Sequence, residues 1–142
     1  MTNPTVSASK TDHQLQPLRP VAAVFVVTLA AYWLAMFVAT HIPIPKGVIP
    51  AGGGDKVLHL SGYALLGVLV LGVRASRGPF RWWSVTSRAL ILTLYAAADE
   101  FTQSFVGRQA DFADWVADVI GAVSGLLAVV FIVRLRSFLN GR

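Results

Sequence analysis

The chain has 142 residues, of which 55% are hydrophobic and 13% charged, with a net charge of +5 and no cysteine. A soluble domain carries roughly 25% charged residues, so too few polar side chains exist to cover a water-facing surface, and lipid is the expected solvent. The absence of cysteine excludes disulfides, thiolate metal sites and cysteine nucleophiles within these residues. The basic residues flank apolar runs instead of forming one patch, so no nucleic-acid partner is expected.

Residues 1–19 are polar, with Pro4 and Pro17 inside them and Pro20 just beyond, and read as a disordered cytoplasmic tail. The run Val21–Thr40 carries no charge. At about 1.5 Å per residue it crosses a hydrocarbon core of about 30 Å. It is longer than a signal-peptide core and no A-x-A site follows, so it reads as a retained membrane helix. Residues His41–Gly54 hold Pro43, Pro45, Pro50, Gly52, Gly53 and Gly54, the composition of a flexible cover or a linker. Three further apolar stretches follow: Val57–Val73, Trp82–Ala98 with Arg88 inside it, and Trp115–Val133 with Asp118 near its start. The expected fold is all-α, a polytopic membrane protein with a bundle of four transmembrane helices over residues 20–136 and a short tail at 137–142.

Orientation is read from lysine and arginine. With the N-terminus cytoplasmic, nine basic residues fall inside (Lys10, Arg19, Arg74, Arg77, Arg81, Arg88, Arg134, Arg136, Arg142) and three outside (Lys46, Lys56, Arg108). Both termini are therefore expected to be cytoplasmic. The acids divide the other way: Asp12 is inside, whereas Asp55, Asp99, Glu100, Asp111, Asp114 and Asp118 are outside. The positive-inside rule does not require this, so the one-sided placement needs another cause.

Three segments reach the outer face with polar groups at helical spacing. Asp55, His59 and Tyr63 stand at i, i+4 and i+8 and share one helix face; Asp55 also suits an N-cap after its glycines. Asp99 and Glu100, with Gln103, close the third helix, where acids oppose the macrodipole and require a stabilising partner. Asp111, Asp114 and Asp118 open the fourth at i, i+3 and i+7. The first two suit a first helical turn. Asp118 lies about one turn deeper, where an ionisable group faces the bundle interior and has a partner; Arg108, His59 and Lys56 are the candidates. Ala117, Gly121 and Gly125 form a small-residue stripe for close helix approach, and Gly62 and Gly67 suit the same role. Trp82, Trp83 and Trp115 fit interfacial anchors.

Read in order, DKVLH, DEFTQSFVGR and DFADWVADVIGAVSG resemble the VanZ-like family of bacterial membrane proteins. The matching positions are Asp55, Lys56, His59, Tyr63, Glu100, Gln103, Arg108, Asp114, Asp118 and Gly121. The resemblance spans roughly residues 55–126, with order and spacing intact. Val106-Gly107 stands where the family often has Pro-Gly, a difference in the turn before Arg108. The resemblance implies a multi-pass protein of the bacterial plasma membrane with a cell-envelope role. The name-giving member is associated with reduced susceptibility to the glycopeptide teicoplanin. No reaction is implied.

The first of three readings of the polar group is a binding site for an envelope component, such as a lipid or lipid-linked ligand. Lys56, His59 and Arg108 would then engage an anionic head group. A metal-dependent hydrolase or transferase would instead use His59, Glu100, Asp114 and Asp118 as ligands. In a structural network the same groups satisfy one another without chemistry. The first reading predicts a cleft beside His59 and Arg108, the second convergence of the four ligands on one point, and the third paired charges without a cavity. A transporter fits less well, because the acids gather at one face and no inverted repeat is evident.

Overall fold

Gly54–Ala75, Trp82–Gln103 and Phe112–Asn140 form helices that we label α2, α3 and α4, and Pro20–His41 forms α1. A 3-10 turn, Ser104–Val106, follows α3. The computed structural model describes residues 20–42 and 54–141, and its described regular elements are all helical. The polar tail at 1–19 and most of the first loop, 43–53, lie outside these residues. The last three helices outrun their apolar stretches at both ends or one. Apolarity marks only the part that matches hydrocarbon, while backbone hydrogen bonding continues into flanking polar sequence. Thus α4 continues through residues 137–140, where the sequence suggests a tail.

α1, α2 and α4 are long and apolar enough to cross a membrane by length and composition. α3 is as long as α2, 22 residues, but Arg88, Asp99 and Glu100 lie within it, and it is not among those three. The structure therefore supports three candidate spans where the sequence suggests four. α1 is apolar all round, and only Ala22 and Met36 are buried. Such a helix in a small bundle has lipid as its neighbour.

α2 and α4 run parallel in direct backbone contact. A Cβ at Gly121 would strike the Leu60 carbonyl oxygen, and one at Gly125 the Ala64 carbonyl oxygen. A Cβ at Gly67 would likewise strike the Ala122 carbonyl oxygen. Small residues are what allow helices to approach this closely where no hydrophobic driving force joins them. Gly62 differs: the nearest atoms to its would-be Cβ are Met36 Sδ and the Tyr32 hydroxyl, both at 3.7 Å. It faces α1, and its carbonyl accepts a hydrogen bond from the Tyr32 hydroxyl at 2.8 Å. Leu66, Leu71, Leu92 and Leu126 fill the core between α2, α3 and α4.

α3 is the antiparallel return between the two parallel helices. Arg74 donates to the carbonyls of Gly78 and Pro79 (3.2 and 2.7 Å) and holds the α2–α3 turn. Arg88 reaches back one turn to the Ser84 carbonyl at 2.8 Å, carrying its charge toward the end where Arg74, Arg77 and Arg81 lie. The other connection turns at Gly107, whose φ of +80° lies in the left-handed region that favours glycine. The missing proline before Arg108 therefore does not prevent the turn: Gly107 makes it, and the Arg108 N–H closes it on the Gln103 carbonyl at 3.2 Å. Trp115, expected as a lipid anchor, instead donates from Nε1 to the Thr93 carbonyl at 3.3 Å and joins α4 to α3. Trp82 and Trp83 remain exposed, as an interfacial role requires.

Gly125→Val is expected to force α2 and α4 apart and to cost about 3 kcal/mol or more, at the upper end of overpacking penalties. Gly62→Ala, with space for a methyl, is expected to stay within about 1 kcal/mol of the parent, near the intrinsic glycine-to-alanine helix difference. Thermal unfolding of the two variants in detergent, followed by circular dichroism, checks the contrast.

Candidate functional site

The glycine contact fixes which residues of α2 meet which residues of α4. His59, next to Leu60, and Asp118, about one turn before Gly121, meet with His59 Nδ1 3.0 Å from Asp118 Oδ1. Near the helix starts, Lys56 Nζ donates to Asp114 Oδ1 at 2.8 Å and to Asp111 Oδ2 at 3.0 Å. Asp111 is the N-cap of α4, and its Oδ1 accepts the Ala113 N–H at 2.8 Å. That backbone hydrogen bond, followed by the Lys56 ammonium, holds the Asp111 carboxyl below its ordinary pKa.

The last turn of α3 supplies a second layer. Glu100 Oε2 accepts the Asp111 N–H at 3.0 Å and so ties the end of α3 to the start of α4. Its other oxygen, Oε1, faces His59 Nδ1 at 3.8 Å and the Gln103 amide at 3.5 Å. Asp99 is buried and is met from three helices. Tyr63 donates to its Oδ2 at 3.5 Å, Gln103 to the same oxygen at 3.3 Å, and Thr40 to its Oδ1 at 3.3 Å. His41 Nδ1 lies 3.9 Å from that Oδ1, and its Nε2 is 3.0 Å from the Thr102 hydroxyl.

Arg108 projects from the turn toward α1 and α2. Its Nη1 donates to the Thr40 carbonyl at 3.0 Å, and its Nη2 lies 3.7 Å from Asp55 Oδ1. The same Asp55 oxygen stands 3.9 Å from His59 Nε2. Between α1 and α2 a cleft of about 390 Å³ opens, with Arg108, Asp55, His59 and Thr40 at its polar end. Ala35, Met36, Ala39 and Leu58 make the apolar walls. From Thr40 to Tyr32 the cleft runs about 12 Å along α1, at helical rise.

All nine residues singled out in the sequence (Asp55, Lys56, His59, Tyr63, Glu100, Gln103, Arg108, Asp114 and Asp118) lie at this end of the bundle, but they do not form a single group. His59, Glu100 and Asp118 converge, each buried and each offering one ligand atom within 4.8 Å of the others. Asp55, His59 and Asp114 make an overlapping group by the same measure. Tyr63 and Gln103 serve Asp99, while Arg108 faces the cleft. The four ligands expected to share one point are thus divided: Asp114, one turn nearer the start of α4 than Asp118, falls in the group with Asp55 and accepts the Lys56 ammonium. Of the three partners expected for Asp118, His59 is the one that bonds to it. Thr40 and His41 join the site although helical spacing does not single them out. Their one signal in the sequence is position: a hydroxyl and an imidazole end the uncharged run and enter the same membrane level as the acids.

Because its folded pKa is depressed, Asp111 contributes stability above the unfolded aspartate value of about 3.9, and that contribution is lost as pH falls through the folded value. Asp111→Ala is therefore expected to lower Tm at pH 7. The gap from the parent narrows below about pH 4. Paired melts across that window check it.

The VanZ/LLP1 family model matches residues 2–134, nearly the whole chain. No curated protein and no solved structure matches it. The matched span includes all four helices down to the arginine-bearing end of α4, together with every residue of the polar site, and on that extent the chain belongs to the VanZ/LLP1 family.

Proposed function

We propose that the chain binds an anionic, amphiphilic cell-envelope component in the cleft between α1 and α2, at the outer face of a bacterial plasma membrane. The observation that carries this reading is the cleft itself: Arg108 and His59, with Asp55 and Thr40 beside them, at one end of about 390 Å³, and mainly apolar walls along the rest. A pocket of this size with few polar groups suits a small ligand or part of a larger one. The head group would meet Arg108, whose planar fork suits phosphate or carboxylate. The chain of the amphiphile would lie along Ala35, Met36 and Leu58. Lys56 already pairs with Asp111 and Asp114 and offsets one of their two charges, which reduces the repulsion that these acids would exert on a phosphate.

The orientation belongs to the same reading. Both termini are cytoplasmic by the nine-to-three distribution of lysine and arginine. α3 crosses as the fourth span, its charges held at its two ends: Arg88 turns toward the cytoplasmic side, and Asp99 and Glu100 are met by partners at the other. Residues 89–98 between them carry no charge. The purely structural reading predicts a closed network, and the cleft weighs against it. A metal-dependent hydrolase or transferase is the second reading, favoured by the convergence of His59, Glu100 and Asp118.

The test is equilibrium binding of a polyprenyl phosphate to the full chain in phosphatidylcholine nanodiscs. Saturable binding is expected. Arg108→Ala should weaken it about 10- to 100-fold, the loss of a charge-assisted hydrogen bond, and Ala39→Trp should weaken it by filling the cleft. Unchanged affinity in both variants would remove the cleft as the binding site. In a teicoplanin-susceptible bacterium, expression of the parent chain is expected to reduce susceptibility and Arg108→Ala to restore it.

A further inference from the structure

Asp118 is completely buried, yet only one of its carboxylate oxygens has a partner: Oδ1 faces His59 Nδ1, while Oδ2 accepts no hydrogen bond from the described residues. A buried carboxylate oxygen without a donor is costly, and an imidazole N–H can satisfy only one of the two. Glu100 presents a similar surplus. Its Oε2 is engaged by the Asp111 N–H, which leaves Oε1 facing His59 at 3.8 Å with only the long Gln103 contact. Two carboxylate groups with unused acceptor capacity and one imidazole nitrogen thus meet inside the bundle.

From these observations we propose that His59, Glu100 and Asp118 hold one divalent cation of the zinc class. Zinc takes imidazole nitrogen and carboxylate oxygen at about 2.0–2.2 Å in a tetrahedral shell, so two ligands on one ion stand about 3.4 Å apart. The distances from His59 Nδ1, 3.0 Å to Asp118 Oδ1 and 3.8 Å to Glu100 Oε1, bracket that separation. Two carboxylates and a neutral imidazole balance the charge of a divalent ion, which matters where water is excluded. Groups that orient the ligands are also present: the Asp111 N–H on Glu100 Oε2 and Asp55 beside His59 Nε2. Three protein ligands leave a fourth position for water or a ligand oxygen, the pattern of zinc sites that do chemistry.

The overlapping group of Asp55, His59 and Asp114 is the weaker host. Asp114 already accepts the Lys56 ammonium at 2.8 Å, and Asp55 lies 3.7 Å from the Arg108 guanidinium. An ion there would compete with two fixed cations. The inner group has no lysine or arginine within ion-pair distance among the described residues. This assignment stands independently of what the cleft binds.

The decisive experiment is calorimetric titration of Zn²⁺ into the full chain in detergent, stripped with chelator and freed of any affinity tag. One ion per chain is expected. Asp118→Asn and His59→Ala should each weaken binding about 100-fold or more, at least the loss seen on removing a supporting group, while Asp114→Asn should leave it unchanged. No saturable binding to the parent chain overturns the proposal. So does an Asp114→Asn loss equal to that of Asp118→Asn, which would move the ion to the outer group. If the Asp118 variant does not fold, Co²⁺ in the parent chain decides. An intense four-coordinate visible spectrum, together with histidine nitrogen coupling in pulsed electron paramagnetic resonance, supports the site, and Co²⁺ that shows no nitrogen coupling and is bound only by oxygen overturns it.

Discussion

Backbone touches backbone between α2 and α4, and the pairing of the polar side chains of these two helices follows from that contact. Gly121 lies against the Leu60 carbonyl and Gly125 against the Ala64 carbonyl, with Gly67 returning the fit against Ala122. The close approach fixes both rotation and register. Lys56 is brought opposite Asp114 and His59 opposite Asp118 with nearly constant spacing along the pair. A helix pair separated by one layer of larger side chains would hold the same residues too far apart to bond directly.

α3 turns this two-helix seam into a site. It returns between the parallel helices and ends where they begin, so its last turn delivers Asp99, Glu100 and Gln103 beside His59. Glu100 has two tasks at once, one oxygen fastening the start of α4 and the other facing the imidazole. Asp99 ties α1 into the same end through Thr40 and the nearby His41. α1 otherwise meets lipid along most of its surface, and the cleft lies along its seam with α2.

Much of this arrangement is legible in the amino-acid sequence. Helical spacing places Asp55, His59 and Tyr63 on one face, and the depth of Asp118 below its helix start demands a partner. Spacing identifies a face but not the neighbour that the face meets. Gly62 and Gly67 are alike in sequence, yet one packs on α1 and the other on α4. Trp115 has the composition of an anchor and instead bonds to α3. Asp114 belongs to the same periodic row as Asp118 but lies one turn nearer the helix start and pairs with Lys56, a cross-helix contact that no single-helix pattern contains. Apolar length also underestimates the helices, because polar flanking turns remain helical where a neighbouring helix supplies their partners.

The parallel course of α2 and α4 has an electrical consequence. Their N-termini lie at the polar end of the bundle, beside the C-termini of α1 and α3, so neighbouring helix ends there alternate between partial positive and partial negative charge. Side chains answer the sign at three of the four ends, whereas Asp99 and Glu100 stand against it at the C-terminus of α3. Asp55, Asp111 and Asp114 stand at the two N-termini, while His41 occupies the last turn of α1 and Arg108 bonds its Thr40 carbonyl. The helix ends at the polar end of the bundle therefore form a checkerboard, with the backbone sign changing over about 10 Å, one helix diameter, beneath a side-chain layer in which six carboxylates outnumber Lys56 and Arg108. The alternating backbone ends cancel one another at a distance, whereas the excess of carboxylates over Lys56 and Arg108 does not. A charged molecule approaching this end meets the field of the acids first, and only close to the surface does position to within one helix decide whether Arg108 or an acid is its neighbour.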